Sequence, residues 1–478
     1  MMKTWRPSVA LLAFTGSVLS QSAANAEKLP NLFPSLNSTG ILETYNTAGG
    51  PISLAGPFFQ DLGTNGRSCA SCHRPAQGWS LSSDEVKLRF ELTRGKDPLF
   101  STVDGSNCND HVDTSTLTGR RKAYSLLLDR GLIRVEIAAP ENAEFTIASV
   151  ENPYGCDSAS VLSLYRRPLP STNLRFQTAI MWDARESSPQ TGTQKITYDT
   201  NPADLIADLA HQAFDATNGH AQGSIPLTAE QQKQIVDFEM SLITAQAYDY
   251  RAGALDHGGV DGGPVFLAKH AMPDFFVGIN DPLGGNPKNI PFTATIFQLF
   301  DNWAHAGGFS FDFFGQARAR RESIARGQAI FNSKPIDITG VSGLNDDLNT
   351  ASIPGTCGTC HDSPGIGNHS LPVPLNVGVG DPDSTLDVSY LPVFTMQNKT
   401  TFETIRTTDP GRALITGAWK DIGRFKGPML RGLSSRAPYF HNGSARTLGD
   451  VVDFYNTRFH IGFSSQEKED LIAFLSAL

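Results

Sequence analysis

The stretch Cys69-Ala-Ser-Cys72-His73 sets two thiols and an imidazole within five residues. Three chemistries use that spacing: a thioredoxin-like redox pair, half of a zinc site, and covalent attachment of a c-type haem with the histidine as iron ligand. A second copy, Cys357-Gly-Thr-Cys360-His361, narrows the choice. Two motifs that each carry the histidine fit two covalently bound haem c groups. One is attached at Cys69 and Cys72 with His73 as ligand, the other at Cys357 and Cys360 with His361 as ligand. A single zinc site built from all four thiolates would leave both histidines without a role. Of the six cysteines only Cys108 and Cys156 remain, and their simplest reading is a disulfide formed in an oxidising compartment.

The elements that must hold these motifs recur as well. Thr228 to Leu242 (TAEQQKQIVDFEMSL) and Ser464 to Leu478 (SSQEKEDLIAFLSAL) each open with a capping-box pattern, Thr228-x-x-Gln231 and Ser464-x-x-Glu467. Each continues with apolar residues at helical spacing, Ile235, Phe238 and Leu242 in one, Leu471, Phe474 and Leu478 in the other. Both read as closing helices. Ahead of each motif lies a short amphipathic stretch with Phe near its end, LAGPFFQDLG and RESIARGQAIFN. Helix, haem motif, loops and closing helix are the plan of a cytochrome c domain, here written twice. The expected fold is therefore mainly α: two cytochrome c-like haem domains, over 27–250 and 311–478, with long loop insertions. The Gly/Pro-rich segment 251–310 between them shows no sustained period and reads as a long ordered linker. An insertion over 104–165 carries both spare cysteines and the β-leaning run LIRVEIAA, expected as a disulfide-pinned loop or hairpin.

Residues 1–26 read as a signal peptide cleaved after Ala26. Lys3 and Arg6 give a basic start, an apolar run follows from Val9 to Leu19, and Ala24-Asn25-Ala26 supplies small residues for cleavage. The expected product is periplasmic and has no membrane span, since no later segment holds about 20 uninterrupted apolar residues. A formal charge of −9 disfavours nucleic acid or an anionic membrane as partner. The 44 Gly and 29 Pro point to many turns and long loops.

Two further stretches resemble a known family. Asn173 to Ser187 (NLRFQTAIMWDARES) is similar to the Trp-Asp-Gly-Arg segment of the bacterial di-haem cytochrome c peroxidases and the related MauG-type enzymes, with Ala184 where Gly is usual. Gly427 to Tyr455 (GPMLRGLSSRAPYFHNGSARTLGDVVDFY) resembles that family's Leu-Arg, Pro-Tyr-Phe-His and Thr-Leu run. The resemblance covers both haem units and leaves the insertions 104–165 and 251–305 outside. It implies that Trp182 stands between the haems, where an oxidisable indole relays charge; a packed interface Trp is the alternative. It also implies that Tyr455 holds the place of the methionine ligand of classical peroxidases, as a tyrosine does in MauG-type enzymes. A phenolate stabilises oxidised iron more than a thioether does. His460, Met396 and Met429 are the other candidates to close the second haem. The distal pocket carries over loosely, with Gln212 near the family's Gln and His220-Ala221-Gln222 where its Glu is expected. Gln212, His220 and Gln222 are thus the candidate proton-handling groups, His220 being equally open as a haem ligand or a surface histidine. Arg167 and Arg436 stand where classical peroxidases have Asn and Thr, which makes calcium doubtful there and suits haem propionates instead.

The function implied is a periplasmic di-haem oxidoreductase that reduces hydrogen peroxide at the first haem, with electrons relayed through the second haem and Trp182. A small cytochrome c or a cupredoxin would be the electron donor. A MauG-like variant would oxidise a protein side chain instead, which Tyr455 favours. The more distant oxygenases that cleave polyisoprenoid with O2 share the two-haem layout, and a di-haem electron carrier without substrate is the non-enzymatic alternative.

Overall fold

The computed structural model describes residues 28–110, 112–156, 160–187, 202–271, 275–281, 286, 288–304, 316–371 and 373–478. The leader read over 1–26 lies outside them.

Both capping boxes close and start their helices. Thr228 and Gln231 cap Ala229–Ser241, and Ser464 and Glu467 cap Ser465–Ser476, each pair satisfying backbone N–H groups that a helix start leaves without partners. The first closing helix stops one residue short of the sequence reading, because Leu242 begins the strand Leu242–Asp249. Aromatic rings fix each helix to its haem motif. Phe238 meets Phe58, Phe59 and Trp79 with ring centres 4.7, 5.2 and 5.5 Å apart. Phe474 meets Phe297 and Phe331 at 5.3 and 5.8 Å. The stretch ahead of the first motif is a single turn, Pro57–Phe59, whereas that ahead of the second is the helix Gln316–Ser333. This helix lies so close along Ser465–Ser476 that a Cβ at Gly327 would sit 1.9 Å from the Asp470 carbonyl oxygen. Any larger residue at 327 would push the pair apart.

Sheets fill much of the rest, and they correct the expectation of a mainly α fold: among the described residues helix makes up 32% and strand 18%, a mixed α/β architecture. A four-stranded antiparallel sheet runs Phe33–Leu36, Gly40–Asn46, Leu242–Asp249, Gly253–Ala254, joining the start of the first haem unit to its end. Gln246 in this sheet donates its N–H to the Leu478 carbonyl (3.2 Å), tying in the C-terminus. Within the insertion, Ile133–Ala138 pairs with Val161–Arg166, and Cys108 and Cys156 form a disulfide with Cα atoms 5.7 Å apart. The strand Phe145–Glu151 leaves the insertion to pair with Val393–Asn398, which pairs in turn with Thr404–Thr407. These strands are short and find their partners far along the chain, so no local period announces them.

The segment read as a linker contributes to a core. Leu255, Ile296, Phe297, Phe300 and Trp303 are buried with Phe331 and Phe474. No helix among the described residues is long and apolar enough to cross a membrane.

Candidate di-haem active site

Each C-x-x-C-H motif opens as one tight turn held by its own side chains. Over Cys69–Ser71 the Ser68 N–H donates to Ser71 Oγ at 3.1 Å, and over Cys357–Thr359 the Thr356 N–H donates to Thr359 Oγ1 at 3.0 Å. The His73 and His361 N–H groups then return to the Cys69 and Cys357 carbonyls at 3.0 and 3.1 Å. His73 Nδ1 lies 3.0 Å from the Trp79 carbonyl, and His361 Nδ1 lies 2.6 Å from the Gly367 carbonyl. A carbonyl only accepts, so in both rings Nδ1 carries the proton and Nε2 keeps its lone pair, the form in which histidine ligates a metal. Burial pushes His73 down to about 4 and lowers His361 too, so both imidazoles are neutral. A phenylalanine sits 6.3 Å from each ring, Phe58 beside His73 and Phe331 beside His361.

The same turns argue against the other two chemistries of the motif. Burial lifts Cys69, Cys357 and Cys360 to about 12 and Cys72 to about 11, whereas a thiol redox couple needs an exposed setting that favours thiolate. Cys72 lines one cavity and Cys357 and Cys360 another. Among the described residues no set of three cysteines comes within ligand distance, which removes the four-thiolate zinc site.

Two cavities face the histidines, about 160 Å³ beside His73 and about 230 Å³ beside His361. Arg167, Pro168, Trp182, Lys426, Met429 and Arg436 wall both. Trp182 is locked there: its Nε1 donates to the Arg167 carbonyl and its own carbonyl accepts the Lys426 N–H, each at 2.7 Å. The next residue, Asp183, is fully buried and bonded to Arg166 (2.6 Å) and Arg185 (2.8 Å), and Arg166 reaches on to Asp409 at 2.7 Å. Ala184 follows with φ of 55°, a left-handed conformation that explains why glycine is usual at this place.

Between the cavities the charge is positive, and among the described residues none of the three cations there bonds a carboxylate. Arg167 donates only to carbonyls, those of Arg130, Gly131, Leu81 and Arg436; Arg436 bonds the Gly432, Met429 and Arg431 carbonyls; Lys426 Nζ bonds Gln177 Oε1 at 2.5 Å. Burial drops Arg167 to about 9, Arg436 to about 10 and Lys426 to about 7. Buried cations without carboxylates are costly unless an anion arrives. Haem fits on each count: thiols and neutral imidazoles to hold it, apolar walls to enclose it, and cations to meet its propionates.

The candidates for closing a haem in the second cavity separate clearly. Tyr455, on the helix Leu448–Arg458, lines the second cavity, and burial together with the neighbouring Cys360 and Cys357 raises its phenol above the usual range. Met429 lines both cavities. Met396 does not; it is fully buried on the strand Val393–Asn398, in a core with Phe145 and Leu164. His460 is exposed, in a left-handed conformation (φ 52°) past the helix end, and lines neither cavity.

At the first cavity the helix Pro202–Gly219 contributes Gln212, and His220 follows just beyond its end. His220 Nδ1 is 2.5 Å from Asp104 Oδ2, and Asp104 is also paired with Arg67. Burial opposes ionisation of Asp104, but its bonds to His220 and Arg67 win and lower it. Gln222 points elsewhere: it is exposed, left-handed (φ 54°), and accepts Thr64 Oγ1 at its carbonyl.

No family model matches the chain. It is 37% identical over 136 residues to the cytochrome-c peroxidase IdrP2 of Denitromonas iodatirespirans, covering 26% of this chain and 36% of that one. It is 42% identical over 81 residues to IdrP1 of Pseudomonas sp. (strain SCT), 15% and 21% of the two chains. The cytochrome c551 peroxidase of Nitrosomonas europaea is 28% identical over 125 residues, 26% and 30% of the chains. Over those stretches the chain is similar in sequence to cytochrome c peroxidases. The matches thus span about a third or less of these relatives. Among solved structures, a MauG-like protein associated with microbial copper homeostasis aligns over 96% of this chain and 95% of its own, at 14% identity and a TM-score of 0.37.

Three side chains stand out that the motifs do not contain. Asp104 orients His220, Lys426 adds a third cation between the cavities, and Glu239 lines the first cavity, while His441, the histidine of the Pro-Tyr-Phe-His run, lines the second. Only Glu239 left a trace in the sequence: it follows Ile235 by four residues, a carboxylate on the apolar face of an amphipathic helix.

Proposed function

We propose that the chain is an exported, periplasmic di-haem c-type oxidoreductase that reduces hydrogen peroxide at the first haem, with electrons passed from the second haem by way of Trp182. The observation that carries this reading is the position of Trp182, walling both the cavity that His73 lines and the one that His361 lines. Haem iron supplies the redox equivalents and the binding position for peroxide.

The protein's part is positional and protonic. His73 and His361 hold the groups as neutral ligands, while Cys69, Cys72, Cys357 and Cys360 fix them covalently. Arg167, Arg436 and Lys426 neutralise propionates, and their place between the cavities leaves no need for calcium there. Asp104 accepts from His220 Nδ1–H, which leaves Nε2 as the basic atom that takes a proton from bound peroxide and returns it to the leaving oxygen. Gln212 offers its amide to orient the peroxide. Reduction to two waters consumes two electrons and two protons, and a small cytochrome c or cupredoxin is the donor that suits a periplasmic site.

Tyr455 favours a second form of the reading, in which the oxidising equivalents are spent on a protein side chain as in MauG-type enzymes. A phenol in the second cavity, beside the attachment cysteines, suits a haem that holds oxidising equivalents better than one that relays them. The test of both is the ferric protein's absorption and EPR spectrum. A high-spin component that shifts on adding peroxide is expected; two low-spin haems inert to peroxide would make the chain an electron carrier.

A further inference from the structure

The internal repeat sets Glu239 of the first closing helix against Leu475 of the second, just as it sets Phe238 against Phe474. Both side chains line the cavity of their own unit, so one position is a carboxylate at the first haem and a hydrocarbon at the second. Glu239 is 4% exposed, and one of its oxygens, Oε2, has no partner among the described residues. Burial pushes its carboxyl up to about 7, and the Ser171 hydroxyl, which lines the same cavity, is the group that pulls it back down. Ser171 Oγ in turn lies 3.0 Å from His73 Nδ1, sharing that N–H with the Trp79 carbonyl. His361 Nδ1 has only the Gly367 carbonyl among the described residues.

A buried carboxylate without a cation is expensive, and leucine at the equivalent place shows that the packing does not require it. We propose that Glu239 is a positioning residue which, through Ser171, strengthens His73 as a donor to the first haem iron and so holds that haem's reduction potential down, an effect the second haem lacks. The inference rests on the di-haem reading above. In the proposed relay, His73 Nδ1–H donates to Ser171 Oγ, and Ser171 O–H turns to the ionised carboxylate. Negative charge behind a ligating imidazole raises its basicity, and a more basic ligand favours ferric over ferrous iron.

The experiment is an optical redox titration of both haems in the holoprotein at mildly alkaline pH, for the wild type, Glu239→Gln, Ser171→Ala and the double variant. Glu239→Gln should shift the first haem's ferric/ferrous equilibrium toward ferrous by about tenfold or more, 59 mV for one electron. Ser171→Ala should shift it the same way even if Glu239→Gln fails to fold, and the double variant should add nothing, since both break one chain. The second haem should stay where it is. A first haem unmoved by either change, or moved by Glu239→Gln but not by Ser171→Ala, overturns the inference while leaving the peroxidase reading intact. A chain without covalent haem at Cys69 and Cys72 overturns both.

Discussion

The indole of Trp182 meets the imidazole of His441 edge to face, ring centres 6.2 Å apart and planes at 63°. His441 is itself stacked on Phe425 at 3.8 Å, and burial drops it to about 4, so the ring against Trp182 is neutral. A neutral neighbour leaves the indole as oxidisable as its bonds to Arg167 and Lys426 allow. Trp182→Phe keeps most of the volume but removes the oxidisable ring. Turnover with peroxide should fall at least about tenfold, on the order of 1.4 kcal/mol of barrier, with both haem spectra retained. Unchanged turnover would return Trp182 to a packing role.

Tyr455 is tested by losing its oxygen. Tyr455→Phe should turn the second haem high-spin, or open it to water, while the first keeps its spectrum. Tyr455→Met should retain six ligands and raise the second haem's potential, because a thioether favours ferrous iron. A low-spin signal that survives Tyr455→Phe and disappears in Met429→Leu would transfer the role to Met429.

His220 and Asp104 form a pair whose members fail differently. His220→Gln removes the base and should lower kcat/KM for peroxide by about a hundredfold, within the usual range for an acid–base group. Asp104→Asn leaves the imidazole but unsettles its tautomer, so a smaller loss, about tenfold, is expected. Stopped-flow mixing with peroxide reads both. A change in the first haem's spin state on His220→Gln would make His220 a ligand instead.

What was legible in the sequence is the chemistry that sits in consecutive residues. The two haem motifs, their flanking phenylalanines and the capping boxes are local patterns, and local hydrogen bonds realise them. The sheets were not legible, since Phe145–Glu151 pairs with a strand about 250 residues away and alternation in seven residues does not name a partner. Counting along the chain also made Gln222 a candidate at the first haem and His460 an alternative ligand at the second, whereas both residues are exposed, left-handed in backbone, and line neither cavity. Asp104 and Lys426 gave no signal because each acquires its role from a neighbour distant in sequence, His220 and the Arg167–Arg436 pair.

Acid stability should report the anchor beneath Trp182. Burial alone would raise Asp183, but Arg185 and Arg166 hold it at about 2, below the ordinary value of about 3.9. A depressed carboxylate contributes stability that is complete above about pH 4 and lost as the pH falls toward 2, on the order of 2 kcal/mol. Asp183→Asn should therefore be less stable than wild type by about 3 kcal/mol near neutral pH, where it leaves Arg166 short of a partner. Urea unfolding should show the difference shrinking on acidification. A difference that stays constant or widens would contradict the ion pair's share in stability.

Everything proposed for Trp182, Tyr455, His220 and Glu239 depends on two haems held by thioether bonds to one chain. A pyridine haemochrome assay against protein concentration measures that number directly. Two haems c per chain is the predicted result, with the loss of one in Cys69→Ala/Cys72→Ala and of the other in Cys357→Ala/Cys360→Ala. One haem per chain in the wild type, or none with zinc present, would contradict it.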